Sequence, residues 1–120
     1  MSLFYKSATL FSCFLVVLLG IFLVSTGFKP ETPNTEAPVT HVVTIHQMKF
    51  DPEKLVVKKG DVVQWVNKDI VPHDVTEINK KWTSKILEKD AKYKKVITEN
   101  LNYFCSLHVI MKGSVTVKNH

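Results

Sequence analysis

The sequence contains no arginine: every basic side chain among its 120 residues is a lysine. The aromatic residues are not interleaved with clustered basic ones, so the charge pattern of a nucleic-acid reader is missing. Cysteine is scarce too. There are two, and Cys13 lies in an apolar run near the N-terminus, which leaves Cys105 without a disulfide partner in the remainder of the chain. An unpaired cysteine near histidines is a metal ligand, a nucleophile or a small buried apolar residue. No internal repeat is visible, and no stretch after residue 40 keeps a long helical period, which excludes helical bundles and solenoids. A chain of this length makes one domain at most.

What is present divides into three parts. Residues 7–28 carry no charge and are rich in Leu, Val and Phe, with Lys6 before and Lys29 after. The run has the roughly 20 residues that a spanning helix needs. Residues 1–28 are therefore expected to form an N-terminal hydrophobic helix, as a signal peptide or membrane anchor. The small residues Ser25 and Gly27 suit cleavage, and the length favours an uncleaved anchor. Cys13 sits inside the run rather than after it, so it is not a lipid-attachment cysteine. Either way the rest of the chain is expected outside the cytoplasm, at the cell surface or in a periplasm. KPETPNTEAPVT (29–40) is a Pro/Thr-rich tether with no apolar periodicity.

Residues 41–120 read as all-β. Strand-like runs are HVVTI (41–45), KLVV (54–57), VVQWVN (62–67), HDVT (73–76), KWTSKIL (81–87), YKKVIT (93–98), LNYFC (101–105) and GSVTVK (113–118). Alternation puts Val63 with Trp65, His73 with Val75, Leu101 with Tyr103 and Cys105, and Val115 with Val117 on inward faces. KKGD (58–61) is a turn in which Gly60 takes positive φ. EKDAKYKK (88–95) has room for a turn of helix only. Short strands with turns between them argue for a sandwich or barrel. The net charge of +5 reads first as a solvated lysine surface, and secondly as a match for an acidic partner.

The segment YFCSLHVIMKG (103–113) holds Cys105, His108 and Met111 at intervals of three. Upstream, His73 follows Pro72 and points inward on its strand. A neutral imidazole facing a core is costly unless its nitrogens are satisfied. Taken singly, a lone Cys or Met is core filler and a lone His is merely polar. Together they form two imidazoles, a thiolate and a thioether. Two His and one Cys in a plane with a weak Met contact select copper for electron transfer, whereas thioether is a poor zinc ligand.

GDVVQWVNKDIVPHDVT (60–76) and YFCSLHVIMKGSVTV (103–117) resemble the two signature blocks of the cupredoxins, the small blue copper proteins. The short gap between His108 and Met111 and the stretch MKFDPEKLVVKKGD (48–61) are similar to the amicyanin and plastocyanin-like members. The resemblance covers 41–119. It implies a Greek-key β-sandwich binding one mononuclear type 1 copper through His73, Cys105, His108 and Met111. It also implies a carrier of single electrons between redox partners outside the cytoplasm, and not an enzyme. The alternative is a copper module for storage, delivery or tolerance. A binuclear copper site needs two cysteines in the loop, and multicopper oxidases need His-x-His motifs that are absent here.

Two positions depart from the amicyanin pattern. Asp74 stands where Asn is common after the first histidine, and Leu107 where Pro is common before the second. Leu107 keeps a backbone N–H, which is expected to donate to the Cys105 sulfur and raise the potential. Ile70, Val71, Pro72, Leu107, Val109 and Ile110 are expected to form an exposed apolar patch around His108, where a redox protein docks. Lys68 and Lys112 would rim it and steer an acidic partner. The chain is expected to act as a monomer, with no nucleic acid and a membrane tether as its other attachment. The resemblance would place Met48 near the copper loop, but ordinary core packing is the stronger reading of that residue. Trp65, Tyr103 and Phe104 read as core aromatics. His41, His46 and His120 are expected to be exposed and without partners.

Overall fold

The computed structural model describes residues 36–118. The N-terminal hydrophobic segment, the tether as far as residue 35 and His120 lie outside the described residues. Among the described residues no helix is long and apolar enough to cross a membrane.

Eight strands form: β1 (Thr40–His46), β2 (Lys49–Asp51), β3 (Lys54–Lys58), β4 (Val62–Asn67), β5 (Thr76–Glu77), β6 (Lys92–Val96), β7 (Leu101–Phe104) and β8 (Lys112–Lys118). They make two four-stranded sheets, in the orders β2-β1-β4-β6 and β3-β8-β7-β5. The chain crosses between sheets at β2–β3, β3–β4, β4–β5, β5–β6 and β6–β7, the Greek-key pattern expected from the resemblance. β1 and β4 run parallel, as do β3 and β8, and the other pairs are antiparallel.

The alternation read from the sequence fills the space between the sheets. Val43 and Ile45 of β1, Val63 and Trp65 of β4, Leu101 and Tyr103 of β7 and Val115 of β8 are buried in one apolar cluster. Burying a side chain of this size is worth about 1.5–3 kcal/mol over leaving it exposed. Trp65 and Tyr103 meet edge to face with ring centroids 5.3 Å apart, and Tyr103 meets Phe50 the same way at 4.9 Å. Cys105 and Met111 belong to this same cluster, so the candidate site is built at the margin of the core.

Several expectations change. Residues 73–76 and 81–87 are not full strands. They meet through isolated bridges, His73 with Leu87 and Thr76 with Thr83, and only Thr76–Glu77 joins a sheet, against β7. Residues 88–95 hold no helical turn; β6 starts at Lys92 and pairs with β4. Phe104 is only half-buried.

His41 also differs from the reading. It is half-buried, and its Nε2 lies 2.8 Å from Asp61 Oδ2. Asp61 accepts the backbone N–H of Val39 at 3.0 Å and of Lys58 at 3.1 Å. One carboxylate thus ties the start of β1 to the turn before β4. The Val39 N–H, then His41 and the Lys58 N–H, hold the Asp61 carboxyl down at about 2 against the opposing effect of burial. A lowered folded-state value stabilises the fold above the unfolded value of about 4, and that contribution is lost as pH falls through the folded one. In acid denaturation of the copper-free chain, Asp61→Asn is expected to remove the part of the stability loss that falls between about pH 4 and about pH 2. Parallel stability curves for the two chains across that window would contradict this.

Candidate metal centre

The C-terminal part of the site is a loop that closes on itself. The His108 N–H donates to the Cys105 carbonyl at 3.2 Å, and the Met111 N–H to the His108 carbonyl at 2.9 Å. The Cys105 N–H then donates to the Met111 carbonyl at 3.1 Å. The spacing of three is therefore structural as well as chemical: each interval is one hydrogen-bonded turn. Cys105 follows β7, and Met111 precedes β8, so both ends of the loop are fixed by adjacent antiparallel strands.

His73 comes from the other side. It is fully buried, and its backbone exchanges hydrogen bonds with Leu87, N–H to carbonyl at 3.2 Å and the reverse at 2.7 Å. The bend that delivers it is shaped by buried Asn67, whose amide donates to the carbonyls of Val71 and Leu87. The Asn67 side-chain oxygen accepts the N–H of Asp69.

His73, Cys105 and His108 converge. Their nearest donor atoms are His73 Nδ1, Cys105 Sγ and His108 Nδ1, separated by 3.7 Å (sulfur to either nitrogen) and 3.2 Å (nitrogen to nitrogen). The point equidistant from three atoms so spaced is about 2 Å from each, a metal–imidazole bond length and a little under a metal–thiolate one. Two unprotonated imidazole nitrogens that face each other at this distance repel unless a cation lies between them. The three residues thus fit a metal ion. Met111 is 3 % exposed at the far end of the same loop. Three of the four residues singled out in the sequence thus bring their donor atoms together, and Met111 closes the same loop through its backbone.

Other residues hold the donors. His73 Nε2 lies 2.9 Å from Asp69 Oδ2. With the proton on Nε2 donated to that carboxylate, Nδ1 keeps its lone pair for a metal. Asp69 also accepts the N–H groups of Gln47 and Met48, which form the β1–β2 turn with positive φ, and its Oδ1 is 3.5 Å from exposed His46. Burial works against the ionised Asp69 carboxylate, but the Met48 and Gln47 N–H groups and His73 outweigh it, and its pKa is lowered. The sequence reading missed Asp69. The available signal was a carboxylate four residues before the inward histidine. It also treated His46 as unpartnered, whereas His46 faces Asp69.

The N–H that reaches the sulfur is that of Asp74, at 3.4 Å. No bond from Leu107 to the sulfur is found among the described residues. The residues expected to form an apolar patch are exposed: Ile70 is 85 %, Ile110 82 % and Val109 63 % exposed, with Val71 and Leu107 also outward. His108 is half-buried. Lys68 is engaged with Asp90 at 2.7 Å, so of the two expected steering lysines it is the one with a neutralised charge. Met48 is exposed rather than core, and with Phe50, Ile110 and Met111 it lines a groove beside the loop.

A two-sheet Greek key with a His–Cys–His triad, two members buried and His108 half-buried, between a strand-end loop and a facing bend is the arrangement of a small copper-binding β-sandwich. A family model described as a cupredoxin-like domain matches residues 13–117. The chain is 32 % identical over 98 residues to amicyanin of Paracoccus denitrificans, covering 73 % of this chain and 75 % of that protein. It is 38 % identical over 66 residues to plastocyanin of Nostoc punctiforme, where the match spans 47 % of the relative's length. Its fold matches an amicyanin variant in the reduced Cu(I) form with a TM-score of 0.63 at 30 % identity, covering 70 % of this chain and 87 % of that one. It also matches 23 % of a copper-containing nitrite reductase from Thermus scotoductus, at a TM-score of 0.61 and 26 % identity. The chain belongs to the cupredoxin-like family.

Proposed function

We propose that the chain carries single electrons between redox proteins outside the cytoplasm. One copper ion would be held by His73 Nδ1, Cys105 Sγ and His108 Nδ1, with the Met111 thioether as a weak fourth contact. When bound, copper supplies a one-electron couple between Cu(II) and Cu(I). The chain's residues keep the donors still. Sheet pairing fixes Cys105 and the end of the loop, the Leu87 bridge fixes the His73 backbone, and Asp69 fixes the His73 ring. The core excludes water from the sulfur, since Cys105 is fully buried.

The observation that carries this reading is the meeting of one thiolate and two imidazoles at metal-bond spacing, with the buried thioether on the same short loop. Similarity to amicyanin and plastocyanin supports it. An electron carrier rather than an enzyme is the better fit, because His73 and Cys105 are fully buried and only His108 of the three is partly exposed. Ile70, Val109 and Ile110 are exposed, the last two on the loop that carries His108, and a partner docking there needs only a small apolar contact. Lys112 at the rim suits an acidic partner. We read residues 1–28 as the export signal or membrane anchor and 29–40 as its tether, with the domain acting as a monomer.

Potentiometric titration of the copper-loaded full chain tests the assignment. A reversible one-electron couple, with copper retained through repeated cycles, is expected. Release of the ion on reduction, or its handover to a Cu(I) acceptor without a reversible couple, would replace it by storage or delivery.

A further inference from the structure

Two carboxylates flank the triad, and they do different things. Asp69 holds the outer edge of the His73 ring. Asp74 lies on the sulfur side and is 4 % exposed. Its Oδ1 accepts the Ser106 N–H at 2.7 Å and the Thr76 hydroxyl at 3.2 Å, and its Oδ2 accepts the Ser106 hydroxyl. Its own backbone N–H donates to the Cys105 sulfur at 3.4 Å. Residues 73–76 and 105–106 are therefore sewn together at one side chain.

Two effects of opposite sign meet at this residue. The N–H withdraws charge from the thiolate, which favours the reduced state. The carboxylate puts a negative charge in a poorly screened interior beside the same sulfur, which favours the more positive, oxidised state. An asparagine here would satisfy the same neighbours. Its oxygen can accept from Ser106 N–H and Thr76, and its amide can donate to the Ser106 hydroxyl. The hydrogen bonds alone therefore do not require aspartate; what it adds is charge.

We propose that Asp74 is a positioning residue that also sets the preferred oxidation state of the centre, its carboxylate clamping the Cys105 segment and lowering the reduction potential. This rests on the electron-carrier reading above. Asp74→Asn removes the charge and leaves the backbone N–H in place. Ser106→Ala keeps the charge and removes one of its hydroxyl donors at an exposed position.

The experiment is potentiometric titration of copper-loaded full chains, wild type first, then D74N and S106A, with visible spectrum and denaturation midpoint recorded for each. In D74N the ratio of reduced to oxidised protein at a fixed poise is expected to rise about tenfold, about 59 mV upward for a one-electron couple. In S106A it is expected to move the other way. An intact D74N centre with an unchanged or lowered potential overturns the proposal. So does an upward shift in S106A, because loosening of the clamp would then account for both. If D74N takes up no copper, the direction found in S106A decides. A wild type with no reversible couple removes the electron-carrier reading itself, and is seen before either variant is measured.

Discussion

Gly113→Ala is expected to destabilise the domain by about 1–3 kcal/mol, the range for forcing extra volume into a close-packed core. An ideal Cβ at position 113 overlaps Cζ, Oη and Cε2 of Tyr103 on the neighbouring strand. The ring has nowhere to go. It is 1 % exposed and wedged against Trp65 and Phe50. Burial also pushes the Tyr103 phenol up to about 12, so it stays neutral across the working range and no charge is available to draw it outward. The clash lies on β7 and β8, the strands that hold both ends of the donor loop. Chemical denaturation of the copper-free chain measures the effect, and the penalty is expected to shrink in a Tyr103→Leu background. An alanine variant as stable as wild type would show that the β7–β8 contact is looser than described. Gly60 contrasts with this: nothing lies within 4 Å of a Cβ there, and its φ of 95° is the only barrier to substitution.

Asp69→Ala is expected to weaken copper binding about 10- to 100-fold, the usual cost of removing a group that orients a ligating histidine. Without the carboxylate, the His73 ring loses the partner that selects the tautomer with Nδ1 unprotonated. The same change frees the Gln47 and Met48 N–H groups, so the β1–β2 turn loosens at its strained end. Competition against a chelator of known affinity reads the first effect, and hydrogen exchange at Gln47 and Met48 reads the second. An affinity within twofold of wild type would mean that packing around His73, and not Asp69, orients the ring.

These two predictions fall on opposite sides of what the sequence made legible. Tyr103 and Cys105 were placed inward by period-two alternation, a signal that survives because β7 is flanked by strands on both sides. Cys105, His108 and Met111 were legible because chemistry and turn geometry coincide at one spacing. His73 was found for a partly wrong reason. Its inward direction was read from a strand over 73–76, whereas a bridge to Leu87 and the bend built by Asn67 produce it. Asp69 and Asn67 were missed because side-chain bonds to distant backbone groups have no period. The steering role expected of Lys68 failed to foresee Asp90, 22 residues on in a different loop. The role of Asp74 was visible only as an odd residue beside a histidine; its partners Ser106 and Thr76 come from two separate segments.

The visible absorption spectrum of the full chain after loading with Cu(II) tests the central claim most directly. Three donors at the observed spacing, one of them the Cys105 thiolate, predict an intense blue sulfur-to-copper band that disappears in Cys105→Ser while the fold persists. A colourless wild-type protein under those conditions, or a band that survives loss of the sulfur, would contradict the account.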